Sequence, residues 1–186
     1  ECPTGVDMSK MKIEISSLRA KKFGLDLFSK LVAYLPYYAP IVSKFSLIMN
    51  LRDKLPGLAK LSEVFLGFTS KRPLPKWRNN YFKNKELPNN LNEIKNTTPV
   101  ILFVDTFNRY YEPENVRSAI KVLKKAGYYP FIPTLPNSSK ILCCGRTYLN
   151  NGLIDNAKNE MLNILNTFKP YLKQGISVVG LEPSCI

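Results

Sequence analysis

Histidine is absent from this 186-residue chain. Its absence excludes Ser-His-Asp and Cys-His nucleophilic catalysis, zinc sites that need imidazole, and haem with a His axial ligand. Acidic residues are few beside basic ones: 14 Asp and Glu against 27 Lys and Arg, a formal charge of +13. Cysteine is sparse, with Cys2, Cys143, Cys144 and Cys185 making four. A disulfide scaffold would be smaller and denser in Cys. No apolar run reaches the roughly 20 residues that span a bilayer. The uncharged stretch between Lys30 and Lys44 is too short, and Pro36 and Pro40 break it. It reads as a buried helical hairpin. Peripheral membrane contact stays open as a second reading, because apolar and basic residues alternate through this region. What remains is ordinary for a globular chain: 45% hydrophobic and 22% charged residues, which excludes wholesale disorder, collagen and a coiled coil.

Two of the four cysteines are neighbours, and neighbouring Cys rarely bridge each other. This usage points to metal ligation or thiol redox chemistry in a reducing compartment, so the expected location is cytoplasmic, with the inner face of the cytoplasmic membrane as the alternative. The chain opens on Glu1-Cys2-Pro3 with no signal-like segment and stops one residue after Cys185. It therefore reads as a fragment of a longer polypeptide. Charge is uneven: 17 basic and 8 acidic residues lie up to Pro99, and 10 and 6 from Val100 onward. A basic face suits nucleic acid, an anionic membrane or an acidic partner, or is simply a solvated surface. No RNA-binding aromatic signature or zinc finger is present, so nucleic acid is not an expected partner.

The first half, residues 1–70, reads as helices punctuated by prolines. Met8, Met11, Ile15 and Leu18 recur at helical spacing, with Asp7 as a start signal and Gly24 as a stop. Further helices are expected over 25–35, from Pro40 through Leu51, and over 58–66. Residues 71–99, rich in Pro and Asn, read as a linker and domain boundary. From residue 100 the pattern changes. Val100-Ile101-Leu102-Phe103-Val104 is a continuous apolar run, as in a strand covered on both faces. A helix starting at Pro113, a strand over 128–132, a short strand-like run at Ile141-Leu142, a helix over 151–172 and a strand over 176–179 follow. Strand and helix in alternation imply an α/β domain of parallel βαβ units, spanning 100–186.

Three of these runs end in polar or thiol clusters: Asp105-Thr106-Phe107, Cys143-Cys144-Gly145-Arg146 and Glu182-Pro183-Ser184-Cys185. Ligands bind outside the carboxyl ends of parallel strands in open α/β sheets. If the runs are parallel neighbours, Asp105, Cys143, Cys144, Arg146, Glu182 and Cys185 converge on one edge. Thiolates ligate soft metals and iron–sulfur clusters, and Gly145 would let backbone approach an inorganic centre. Thiol–disulfide exchange is the competing chemistry. Arg146 beside the thiols would lower their pKa and attract a carboxylate. Buried structural Cys beside a turn is the plain alternative. Cys2-Pro3 matches the end of a bacterial ferredoxin run, whose other cysteines would lie upstream. No Gly-rich flavin fingerprint is visible, so no hydroxyacid oxidation is expected of this chain alone.

Three motifs together resemble a known family. The opening Glu1-Cys2-Pro3-Thr4-Gly5-Val6-Asp7 resembles the exit of the second ferredoxin motif in large flavin-linked oxidases. Lys71-Arg72-Pro73-Leu74-Pro75-Lys76-Trp77 resembles a linker of the same proteins. The run from Asp105 through Cys143-Cys144-Gly145-Arg146 to Glu182-Pro183-Ser184-Cys185 resembles their cysteine-rich (CCG) domain. The family is that of FAD-linked D-2-hydroxyacid dehydrogenases fused to an iron–sulfur half. Related modules occur in the anaerobic glycerol-3-phosphate dehydrogenase iron–sulfur subunit and in heterodisulfide reductase. The resemblance implies an FAD domain and a ferredoxin domain elsewhere on the polypeptide, and electron transfer through this chain toward a quinone or carrier protein. It implies a 4Fe-4S cluster held in part by residues outside this chain, with Cys2, Cys143, Cys144 and Cys185 as metal ligands. Cys143, Cys144, Arg146 and Glu182 would be the reactive set. Where the heterodisulfide reductase type has a Cys after its first strand, this chain has Asp105-Thr106. Either Asp105 or a residue downstream completes the site, or the domain holds no cluster and shapes a substrate-side surface. A docking domain and a vicinal-dithiol reductase stand as the alternative functions. The basic helical half is the expected docking face.

Overall fold

A computed structural model describes residue 5 and residues 7–89, 91, 97–135 and 140–185. Helix α1 (Met8–Phe23) starts where the Asp7 carboxylate accepts from the Lys10 amide, and the chain leaves it at Gly24. Its stripe of Met8, Met11, Ile15 and Leu18 is exposed, Leu18 to 68%. The helix docks instead by its small side, where Ser17 is buried and the Ser16 carbonyl lies against Gly152. Serine lets two backbones meet there; a Met or Leu would hold them apart.

Helices α2 (Leu27–Ala33) and α3 (Leu35–Val42) follow. Pro36, expected to end a helix, begins one. It sits in the first turn of α3, where a missing N–H leaves no hydrogen bond unmade. A 3-10 turn leads into α4 (Ser46–Met49), and α5 (Leu58–Leu66) completes the helical half. The expected buried hairpin is buried on one side: Ala33, Leu35, Ala39 and Ser43 are enclosed, whereas Tyr37, Ile41 and Phe45 face outward. Among the described residues no single helix is long and apolar enough to cross a membrane.

The described part of the Pro- and Asn-rich connector is packed chain. Asn50 clamps it by donating to the Trp77 carbonyl and accepting from the Trp77 amide, both at 2.9 Å. Phe82 is fully buried, and its amide donates to the Arg109 carbonyl. The Arg109 guanidinium, itself buried, donates in return to the Phe82 carbonyl and to Asn84 Oδ1. Burial lowers its pKa from the ordinary guanidinium value.

Strands β1 (Thr98–Phe103), β2 (Tyr128–Phe131) and β3 (Val178–Gly180) form a parallel sheet in the order β2-β1-β3. Helices α6 (Thr106–Tyr110) and α7 (Pro113–Lys125) lie between β1 and β2 in the chain, and α8 (Arg146–Asn150) and α9 (Ile154–Leu172) between β2 and β3. Ile101 and Phe103 pack with Phe131, Leu142, Ile164 and Phe168 on the α9 side. Leu102 and Val104 pack with Phe82, Val116 and Ile132 on the α7 side. Burial on both faces is why β1 reads as an unbroken apolar run. The α/β class read from the sequence is the observed one. Ile141-Leu142 makes no strand; the Leu142 side chain packs into the α9-side core. The helix expected over 151–172 is α9, which begins at Ile154 just after Gly152 with φ +76°, and the short α8 precedes it.

Candidate functional site

The chain leaves β1 toward β2 on one side and returns to β3 on the other, with α7 and α9 on opposite faces. The carboxyl end of β1 is therefore a topological switch point, where open α/β sheets place their ligands. Asp105 is the first polar residue there. Its Oδ1 accepts from the amides of Phe107 and Asn108 at 2.9 and 3.0 Å, and its Oδ2 from the Asn108 side chain at 2.7 Å. It is 3% exposed and serves as the N-cap of α6. Both carboxylate oxygens are thus engaged in holding the turn that presents Thr106.

The thiols gather at this end. Cys143 is buried, and Cys144 and Cys185 are half-buried; all three are free. Cys144 Sγ lies 3.1 Å from Cys185 Sγ. Cys143 Sγ accepts from the Gly145 amide at 3.5 Å and from Thr106 Oγ1 at 3.9 Å. Gly145 makes this turn possible in two ways: it adopts φ +78°, and a Cβ there would stand 2.9 Å from the Ala157 backbone. The turn over Pro183–Cys185 brings in the third sulfur, with the Cys185 amide donating to the Glu182 carbonyl. Glu182 Oε1 accepts from the Ser184 hydroxyl at 2.8 Å, which ties the carboxylate to its own turn.

The three thiols share protons unequally. Cys144 is pushed well below the usual thiol range by hydrogen bonds from Cys143 and then Cys185, helped by the Arg146 amide and opposed by burial. Cys143 is pushed up by its hydrogen bond to Cys144 and by burial. Cys185 is pushed up by its hydrogen bond to Cys144, then by burial and the nearby negative charges of Cys144 and Asp105. One thiolate held by two thiols is the arrangement this describes.

Of the residues singled out in the sequence, the fold brings Asp105, Cys143, Cys144 and Cys185 together, with Glu182 on the turn that carries Cys185. Arg146 contributes its backbone amide. Its side chain is exposed and makes no hydrogen bond or ion pair among the described residues. Cys2 lies outside the described residues. Sequence reasoning passed over Thr106, whose hydroxyl reaches Cys143, although its place directly after Asp105 at a strand end was visible. Asn108, which completes the Asp105 cap, sits three residues on, at the spacing of a helix N-terminus.

The donor set is one of thiolate chemistry: three sulfurs, in a chain with no imidazole. Its spacing does not fit a single metal ion. Two thiolates on one tetrahedral ion stand about 3.8 Å apart, given metal–sulfur bonds of about 2.3 Å. Cys144 and Cys185 are closer than that. Among the described residues, no group of three or more His, Cys, Asp and Glu side chains is arranged to hold a metal ion. Thiolates are also the usual ligands of iron–sulfur clusters, and three are one short of the four such a cluster takes.

The Asp105 cap leads to a test. Asp105→Ala should cost about 2 kcal/mol, because the Phe107 and Asn108 amides, the second of them buried, lose their acceptor. Asp105→Asn keeps a capping oxygen and should cost under about 1 kcal/mol. Chemical denaturation of both variants measures this; equal losses would remove the capping role.

The fold and the thiol cluster together define a cysteine-bearing parallel α/β module at the end of a helical segment. Over its whole length the chain is similar to D-2-hydroxyglutarate dehydrogenase of Pantoea ananatis (strain AJ13355), at 22% identity across 198 aligned positions. It is equally similar to D-2-hydroxyglutarate dehydrogenase of Escherichia coli (strain K12), at 22% across 195. The chain spans 18% of the length of each of these relatives. No family model matches the chain, and no solved structure matches it significantly. The likeness is to an oxidoreductase, and it bears out the resemblance to D-2-hydroxyacid dehydrogenases read from the motifs.

Proposed function

We propose that this chain is the electron-passing part of an oxidoreductase that acts on a D-2-hydroxy acid, with D-2-hydroxyglutarate as the first substrate to try. The observation that carries the reading is the convergence of Cys143, Cys144 and Cys185 at the carboxyl end of a parallel sheet. The likeness to two dehydrogenases supports it. Substrate oxidation and its flavin belong to other parts of the polypeptide in this reading, because nothing in these residues resembles a flavin fingerprint. An iron–sulfur cluster, when bound, would accept and release single electrons. Cys143, Cys144 and Cys185 would hold it, and a fourth ligand would come from outside the described residues. The chain's own part is to keep Cys144 ionised and to shield Cys143 behind Thr106 and the Gly145 turn. Lysines of the helical half make the proposed docking face for an acidic carrier or a neighbouring domain.

Iron and acid-labile sulfide analysis of the anaerobically purified full chain tests this. Wild-type protein should carry iron and sulfide in equal amounts, and Cys144→Ser should lose most of both. This chain alone should not oxidise D-2-hydroxyglutarate, whereas a polypeptide that also carries the flavin part should reduce an artificial acceptor with it. Metal content unchanged in Cys144→Ser would sink the assignment.

A further inference from the structure

The contact between Cys144 and Cys185 carries chemistry that a cluster ligand does not need. We propose that these two residues form a redox-active dithiol, which closes to an intramolecular disulfide while Cys143 stays reduced, and that closure prevents the site from taking up iron. The inference rests on the three-thiol site of the proposed function and concerns its regulation.

The selection between the three sulfurs is geometric. Cys143 and Cys144 are sequence neighbours, so their Cα atoms stand about 3.8 Å apart, below the roughly 4.4–6.8 Å that disulfides span. Cys144 and Cys185 are 41 positions apart in the chain and only 3.1 Å apart at sulfur. An approach of about 1 Å completes a bond of about 2.05 Å. Access separates them too. Cys143 is buried and already accepts from Gly145 and Thr106, whereas Cys144 and Cys185 are half-buried and open to a small oxidant. Cys144 Sγ stands 3.1 Å from Cys185 Sγ, so a mixed disulfide formed on Cys144 lies within reach of the Cys185 sulfur.

The oxidant is a small-molecule disulfide, for which oxidised glutathione is the probe. Cys144 Sγ attacks one glutathione sulfur; the glutathione S–S bond breaks, and the first glutathione leaves as a thiolate that takes up a proton. Cys185 then loses its proton and attacks Cys144 Sγ of the mixed disulfide, releasing the second glutathione. Two protein thiols have lost two electrons and two protons, and one glutathione disulfide has become two glutathione thiols. Two of the three sulfurs that could hold iron are then bonded to each other. A thiolate centre cannot form until a reductant reopens the pair.

The full chain, stripped of metal anaerobically with a chelator, is treated with oxidised glutathione, alkylated and digested with trypsin. Cleavage after Lys140 and Arg146 puts Cys143 and Cys144 on one peptide and Cys185 on another. The wild-type digest should contain these two peptides linked by a disulfide. Cys143→Ser should keep the link, and Cys144→Ser and Cys185→Ser should lose it. Oxidised protein should take up ferrous iron and sulfide at least about tenfold less than reduced protein, because two ligands are withdrawn. No link in the wild type, or a link kept by Cys144→Ser, would overturn the proposal, as would equal iron uptake before and after oxidation. Reduced protein that takes up no iron while the link still forms would sink the cluster reading and leave the dithiol standing.

Discussion

Gly145→Ala is expected to destabilise the protein by about 2–6 kcal/mol. Two effects add. Holding a residue with a Cβ in this left-handed conformation costs on the order of 1–3 kcal/mol. Gly145 has φ +78°, so an alanine there bears that strain. The added Cβ would also stand 2.9 Å from both Cα and O of Ala157, near the start of α9. Backbone cannot swing aside as a flexible side chain can, and such overpacking costs about 1–3 kcal/mol. For a chain of this size each kcal/mol moves the melting temperature by roughly 2–4 °C, so a fall near 10 °C is expected. Gly175→Ala separates the two effects. Gly175 has φ +77° but no atom within 4 Å of an added Cβ, so it should lose only the conformational part, about 1–3 kcal/mol. Calorimetry on the two variants decides it: equal losses would mean that α9 does not press on the Cys143–Arg146 turn. If the larger loss is seen, the thiol turn owes its shape to the helix behind it.

The same glycine shows how far the sequence could be read. Glycine after a Cys pair at a strand end was legible as a place for close backbone approach. What approaches it, the backbone of Ala157, was not, because that contact depends on how α9 packs. The β1 run and the alternation of helices and strands gave the α/β class, since burial on both faces leaves a continuous apolar signature. Ile141-Leu142 carried the same short signature without being a strand. Two apolar residues say only that a side chain is buried, and Leu142 is buried without pairing. Pro36 illustrates a different ambiguity: proline both ends and begins helices, and which it does depends on the residues after it. Helix α1 was legible from its caps, but its docking face was not. Hydrophobic spacing points to Ile15 and Leu18, whereas the observed contact uses Ser16 and Ser17 against Gly152. Backbone approach through small residues leaves no periodic trace. Convergence of the thiols was legible because each lies at an element end. Their unequal ionisation was not, since it depends on distances between sulfurs.

That inequality predicts how alkylation should depend on pH. An ordinary thiol, with a pKa near 8.5, gains about tenfold in thiolate for each pH unit below that value. Its alkylation by iodoacetamide therefore rises about 1,000-fold between pH 5 and pH 8. Cys144 is different, because hydrogen bonds from Cys143 and Cys185 hold its pKa well below the usual range. A group whose pKa is lowered in the folded state is already ionised across that interval, so its alkylation rate should stay flat within a few-fold. Its lower basicity makes it an intrinsically slower nucleophile, which reduces the rate at every pH but adds no slope. Cys143 and Cys185, both pushed upward by Cys144 and by burial, should remain largely unlabelled over the same range. Timed alkylation of the reduced full chain, with the labelled cysteine located by fragmentation, reads all three at once. Cys185→Ala removes one of the two thiol donors to Cys144 and should move the lower limit of the flat region to higher pH. A rate at Cys144 that climbs tenfold per pH unit up to pH 8 would show that it is an ordinary thiol. The attacking role assigned to it would then fall, whichever sulfur proves to hold iron.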